Sequence, residues 1–187
     1  MGIRVRTDAH GKLIDAPIQI LEAFVEDHTT RHNSGEFTVV QFGINEFSIV
    51  PRGGKDATGK FGSQHSPFDT RISFPQETRT GVATLKLILE GIKAAGGESI
   101  GIGSVPYELL GGYEVLVGAQ NETARDVLAR AFREARWADP RIHFPLPKLS
   151  WRLFYDLELQ AYVLNISTIL HEVPERGGGV RLDQLVW

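Results

Sequence analysis

The segment from Thr80 to Trp137 places the strongest constraint on the fold, because it contains two amphipathic helix candidates separated by two short apolar stretches. The first helix candidate covers residues 82–95. Thr80 supplies an N-cap side chain, and Gly96 supplies the left-handed residue that ends many helices. The apolar residues of this segment recur at the three-and-four spacing of one buried face: Val82, Leu85, Ile88, Leu89 and Ile92.

The second helix candidate begins after Asn121, which is a good N-cap residue, and ends before Asp139 and Pro140. Residues 99–105 and 113–119, between the two helices, are typical of short strands, and the turn-prone residues that join them favour a hairpin. One side of the second helix carries its apolar residues: Ala124, Val127, Leu128, Ala131, Phe132 and Ala135. Its arginines are predicted to lie on a solvated face: Arg125, Arg133 and Arg136.

Strand candidates also flank this segment. Residues 71–74 precede it, and residues 150–155 and 160–169 follow it with alternating apolar and polar side chains. The resulting order of strand, helix, two strands, helix and strand is that of a βαββαβ unit. The sequence therefore predicts an α+β fold that resembles the ferredoxin-like sandwich over about residues 70–169.

The N-terminal part extends this unit. A small hairpin is predicted over residues 3–14, a helix over residues 18–30, and a second hairpin from strands 36–42 and 47–50. A strand over residues 17–25 is the alternative to this helix. Residues 51–70 contain mostly glycine, serine, lysine and proline, so they are predicted to form a long loop without regular structure.

The predicted domain organisation is a single α+β domain over residues 1–170, in which 1–52 form the N-terminal helix and hairpin and 70–170 form the core. Residues 171–187 are predicted to form a C-terminal tail that contains a spacer of three glycines.

Composition narrows the class of function. The 187 residues include 42% hydrophobic residues, enough for a packed core, and the net charge of −3 gives no electrostatic reason to expect nucleic acid or an anionic membrane as partner. The absence of cysteine excludes disulfides and thiolate metal sites. No stretch has the length of a transmembrane helix and residues 1–7 have no apolar core, so we expect a cytoplasmic protein.

Residues 54–60 match the G-x-x-x-x-G-K skeleton of a phosphate-binding loop. Phe61 stands where that motif needs a serine or threonine for magnesium, and the residues after it are poor helix formers, so the pattern does not predict nucleotide binding. The cations around it are instead candidates for contacts with an anionic ligand: Arg52, Lys55, Lys60 and His65.

His28 and His32 are four residues apart, a spacing that places two imidazoles on the same side of a helix, as a metal pair requires. They are the candidate metal ligands. The last eight residues, 180–187, are rich in apolar side chains, so the tail is predicted to add to a sheet edge, fold back on its domain or bind a partner. Its candidate contact residues are Leu182, Leu185, Val186 and Trp187.

No catalytic constellation emerges from these patterns, and no cofactor is predicted. The leading hypothesis is a small, non-catalytic binding or regulatory protein that acts through contacts with a partner protein or with itself. One alternative is a metal-dependent hydrolase that uses scattered histidines, including His171, with carboxylates. Another is a structural subunit of a phage or secretion assembly.

Overall fold

The computed structural model divides the chain into two units, residues 1–66 and 67–187. It describes residues 16–32, 36–43, 46–55, 61–63, 65–156, 158–159, 161–174 and 180–184. The predicted hairpin over residues 3–14 lies outside the described residues. The predicted boundary between domain and tail stays a prediction.

In the first unit, α1 (Pro17–His32) packs on a sheet of three antiparallel strands, β1 (Glu36–Gly43), β2 (Glu46–Lys55) and β3 (Phe61–Ser63). The predicted helix and hairpin are confirmed. The prediction that residues 51–70 lack regular structure is wrong, because β2 continues to Lys55 and pairs with β3. The paired residues include three glycines, which carry no side chain, so the alternation that marks a strand is invisible in the sequence.

The second unit begins with a 3-10 turn, Pro67–Asp69, and contains three helices and eight strands among its described residues. In chain order these are β4 (Arg71–Thr80), α2 (Gly81–Ala94), β5 (Ile100–Ile102), α3 (Tyr107–Gly111), β6 (Tyr113–Thr123), α4 (Ala124–Glu134), β7 (Arg136–Trp137), β8 (Leu149–Asp156), β9 (Ala161–Thr168), β10 (Leu170–Pro174) and β11 (Val180–Gln184).

Two bulges shape the antiparallel pair of β4 and β6. On β4 the register passes from Phe74 opposite Ala119 to Glu77 opposite Val117, so one extra residue lies at Pro75–Gln76. A bulge accommodates a proline, which has no amide to donate, and β4 therefore continues past the predicted end at Pro75. The extra residue of β6 lies near Asn121, whose φ is 55°.

The prediction that Asn121 is the N-cap of α4 is therefore wrong. Asn121 instead adopts the left-handed backbone conformation at the bulge. The N-cap is Thr123, whose Oγ1 accepts a hydrogen bond from the Asp126 amide at 3.2 Å and donates to Asp126 Oδ2 at 2.6 Å. The other helix prediction is confirmed at its start, since Thr80 Oγ1 accepts from the Ala83 amide at 3.2 Å.

Replacement of Thr123 by alanine should lower the free energy of unfolding by about 1 kcal/mol, because an orphan amide at the start of α4 loses its acceptor. Chemical denaturation measures this change. Thr123→Ser retains the hydroxyl and should stay close to wild type. Equal destabilisation by Ala and Ser would show that the hydroxyl is not the cause.

One core joins the helices of the second unit to β4, β6 and β9. The helices α2 and α4 pack on each other and on β6, whose residues alternate between buried and more exposed. Leu164 and Ile166 bring β9 to the same cluster. The fully buried side chains of this core include Tyr113, Phe68, Leu85, Ile88, Ile92, Leu110, Leu128, Val115, Val117 and Val127.

The strands form separate sheets, in the orders β4-β6-β7, β5-β9-β8 and β10-β11. The α+β class is confirmed. The ferredoxin-like topology is not, because the short β5 pairs in parallel with β9 and not, among the described residues, in a hairpin with β6. The segment between β5 and β6, predicted to be a turn, contains α3, which separates the two strands.

The prediction of a solvated arginine face on α4 is wrong for Arg125, which is 9% exposed. Its Nη2 donates to Asp69 Oδ1 at 2.5 Å. Asp69 comes from the 3-10 turn before β4, so the partner that permits burial of this cation lies 56 residues away in the chain. Local helix periodicity carries no information about such a partner.

Candidate partner-binding groove

A surface groove of about 380 Å³ lies where α4 ends and the chain turns towards β8. Its lining combines apolar and charged side chains: Arg133, Ala135, Arg136, Trp137, Asp139, Pro140, Ile142 and Leu146. All of these residues fall within a stretch of fourteen positions that belongs to the second unit. The groove is therefore built by one local segment on a fixed scaffold.

The start of this segment is held in place by β7, which pairs with β6. Arg136 lies opposite Glu114, and Trp137 lies opposite Tyr113. Ala135 ends α4 in an extended conformation, with φ −61° and ψ 147°, so the chain can enter a strand at once. The Ala138 amide then donates to the Gly112 carbonyl at 2.9 Å. These bonds tie the residues of the groove to the core sheet.

Trp137 anchors the remainder of the segment. Its ring packs edge-on against Tyr113, with 5.1 Å between the ring centroids, and its Nε1 donates to the Phe144 carbonyl at 2.7 Å. Burial raises the pKa of Tyr113 to about 12. Leu146 is partly buried against the core beyond this point. The loop is thus pinned at its middle and at its far end.

The charges of this segment are mostly positive. Residues 133–148 contain four cations and two acids, a net charge of +2, whereas the whole chain carries −3. Asp139 is already engaged by Arg141, whose guanidinium donates to both carboxylate oxygens and holds the pKa of Asp139 below its usual range. Arg136 has an exposed side chain that lines the groove. The groove is therefore suited to an anionic group.

Apolar side chains are exposed beside the same groove. Ile142 is 37% exposed and Phe144 is 79% exposed, and both belong to a segment rich in proline. Single exposed apolar residues are common on protein surfaces, but a cluster next to a pinned tryptophan and arginines has the composition of a binding site.

The structure does not gather the predicted anion-binding residues into one described site. Arg52 is exposed on β2, and His65 is exposed just before the 3-10 turn. Lys55 ends β2, but its side chain, like Lys60, lies outside the described residues. Phe61–Ser63 forms a strand that pairs with β2 where a phosphate-binding loop would open a helix. Anion binding by these residues stays a prediction.

The predicted metal pair lies on α1, with His28 one turn before His32. The His28 ring contacts Phe24 and Phe37, at 6.4 Å and 5.8 Å between ring centroids. The side chain of His32 is outside the described set. Within the described part of the chain, no group of three or more His, Asp or Glu side chains is arranged to hold a metal ion.

The predicted tail contains β11, whose five residues pair antiparallel with β10, including Leu182 opposite Glu172. The segment from 180 to 184 thus adds to the strand that precedes the glycines. The side chain of Leu182 and all of Leu185, Val186 and Trp187 lie outside the described residues. Their role as partner contacts stays a prediction.

Sequence reasoning did not find the groove, although residues 137–147 carry a visible signal. Three prolines lie there among Trp137, Ile142 and Phe144, which is unusual for a simple solvated connector. Comparison of the chain with protein-family models, with curated proteins and with solved structures found no match in any of the three. None of the described helices is long and apolar enough to span a membrane.

Proposed function

We propose that this protein is a non-catalytic protein-binding domain, and that the groove lined by Arg136, Trp137 and Ile142 receives an acidic segment of a partner protein that also carries an apolar side chain. The single observation behind this proposal is that the exposed Arg136, the pinned Trp137 and the exposed Ile142 line the same groove.

Both the acidic and the apolar residue of the partner segment are inferred from the side chains that line the groove. A guanidinium can bind a carboxylate with two parallel hydrogen bonds, which makes Arg136 a suitable contact for Asp or Glu. Trp137 and Ile142 offer apolar surface to a leucine or an aromatic ring. Tryptophan and arginine are also the residue types that dominate binding energy at protein interfaces. The local positive charge adds electrostatic attraction for an acidic partner.

The proposal can be tested with random decapeptides displayed on phage and selected on the immobilised full chain. Enriched peptides are expected to combine Asp or Glu with a large apolar residue. Arg136→Gln should then weaken binding of a selected synthetic peptide about tenfold, measured by fluorescence anisotropy, because one charge-assisted contact is lost. Ile142→Ser should weaken it through the apolar half.

Lys86→Gln is the matched control, because Lys86 is an exposed cation of α2 that does not line the groove. It should leave the affinity within twofold, as is usual for a charge outside the contact surface. Selection of peptides without acidic residues, or equal losses for Arg136→Gln and Lys86→Gln, would contradict the proposal. So would tighter, Arg136-dependent binding of a single-stranded oligonucleotide pool.

A regulatory role and a cytoplasmic location are parts of the same hypothesis. Location is tested by fractionation of cells that express the tagged chain.

A further inference from the structure

The strand β8 is the terminal strand of the sheet β5-β9-β8, and among the described residues no strand lies on its other side. Natural proteins usually protect such an edge with prolines, bulges or several charges. The eight residues of β8 contain no proline and one cation, and their register with β9 is continuous from Leu149 to Asp156. Within the described part of the chain, this edge is long and regular and carries none of these protections.

The hydrogen bonds of β9 show which backbone groups of β8 face outward. The Gly103 amide donates to the Leu164 carbonyl and the Ile166 amide donates to the Ser104 carbonyl, so the even-numbered residues of β9 turn their backbone groups towards β5. The odd-numbered residues therefore turn towards β8. The Ile169 amide agrees, since it donates to the Lys148 carbonyl on the β8 side.

The partners of those odd-numbered β9 residues are the even-numbered residues of β8, such as Phe154 opposite Val163. The backbone groups of the odd-numbered residues of β8 consequently point to the open edge. They are Leu149, Trp151, Leu153 and Tyr155. No hydrogen bond of these outward amides and carbonyls occurs with another described residue outside the sheet.

We propose that two copies of this chain associate through β8, as antiparallel edge strands related by a two-fold axis at Phe154. In this register the outward groups of Leu153 meet those of Tyr155 in the second copy. Arg152 lies opposite Asp156 of the second copy, and this occurs twice because the contact is symmetric. Neither a covalent change nor a cofactor is involved.

Charge favours this register over those centred on Arg152 and on Leu153. A two-fold axis at Arg152 would place two guanidinium groups opposite each other, and an axis at Leu153 would leave Arg152 opposite Phe154 with no acidic partner. Registers centred between residues are excluded, because they would set outward backbone groups against inward ones. Phe154 and Tyr155, which are 44% and 46% exposed, would each be partly covered in the dimer.

The proposal does not depend on the groove, since β8 is not among the elements that line it. The chain has no cysteine, so a single introduced cysteine reports its own position. In the proposed register Phe154 lies opposite Phe154 of the second copy, and the two residues share no backbone hydrogen bonds. Their Cα atoms would be about 4.5 Å apart, a distance that a disulfide spans. Residue 152 is about 13 Å along the strands from its own copy.

The test is oxidation of the full chain carrying Phe154→Cys, Arg152→Cys or Leu159→Cys, with covalent dimer measured by non-reducing electrophoresis. Leu159 is 69% exposed in the turn after β8 and controls for random collision. Phe154→Cys should form dimer at least tenfold faster than the other two variants. Similar rates for all three, or fastest reaction of Arg152→Cys, would overturn the register.

Analytical ultracentrifugation across the micromolar range tests the association itself. The wild type should sediment as a concentration-dependent dimer. Arg152→Glu, which sets like charges opposite each other, should raise the dissociation constant at least tenfold, while Lys86→Glu should leave it within twofold. A wild type that stays monomeric throughout this range would overturn the proposal, as would a dimer that Arg152→Glu does not weaken.

Discussion

Replacement of Gly118 by alanine is expected to lower the free energy of unfolding of the second unit by about 2–3 kcal/mol. A Cβ at this position would lie 2.6 Å from Gln76 Cα and 2.7 Å from Gln76 N. Those atoms belong to the backbone of the β4 bulge, so no side-chain rotation relieves the clash. The Arg130 guanidinium also donates to the Gly118 carbonyl at 2.5 Å, which a shifted strand would disturb.

The measurement is urea denaturation followed by tryptophan fluorescence. All three tryptophans lie in residues 67–187, so the signal reports the second unit alone. Gly111→Ala is the matched control, because a Cβ at the end of α3 meets no atom within 4 Å. This variant should stay within about 0.5 kcal/mol of wild type. A Gly118→Ala variant as stable as the control would show that the two strands do not approach each other as described.

Asp69→Ala is expected to cost about 2–3 kcal/mol, because it leaves the guanidinium of Arg125 buried without its counter-charge. This loss of unfolding free energy is smaller than that for a fully buried ion pair, because the side chain of Asp69 is one-third exposed. Among the described residues Arg125 Nε has no hydrogen-bond partner. The bond from Arg125 Nη2 to Asp69 is therefore the contact that offsets the cost of burying the guanidinium.

The double variant Asp69→Ala with Arg125→Met should recover much of that loss, because it removes the isolated charge and fills the site with an apolar side chain of similar length. Glu90→Ala, which breaks the exposed pair of Glu90 with Lys86, should cost about 0.5 kcal/mol or less. If the double variant were less stable than Asp69→Ala, Arg125 would contribute more through its packing than through its charge.

Local patterns predicted α1, α2 and α4, but not the short α3. The cap at Thr80 and the apolar stripe of α2 depend on residues three and four apart, and Leu85, Ile88 and Ile92 are buried as expected. The same holds for α4, where Ala124, Val127, Leu128 and Ala131 are buried. These features need no information about distant parts of the chain.

Features that depend on distant residues were not predictable. Asn121 lies in a bulge and not at the predicted N-cap position, and this bulge depends on how β6 pairs with β4. The burial of Arg125 depends on its ion pair with Asp69. Pairing of β5 with β9 joins residues about sixty positions apart. The groove likewise exists because Trp137 holds Phe144 through its indole, a contact that hydrophobic periodicity does not encode.

The most direct test of the proposed binding function is an NMR titration of the full chain with a selected acidic peptide, which follows the indole N–H resonances. The signal of Trp137, assigned by its loss in Trp137→Phe, is predicted to shift and saturate with the binding curve. The signal of Trp151, which contacts Phe68 and does not line the groove, should stay unchanged. Binding of the peptide without any shift of the Trp137 indole would contradict the assignment of the groove as the docking site.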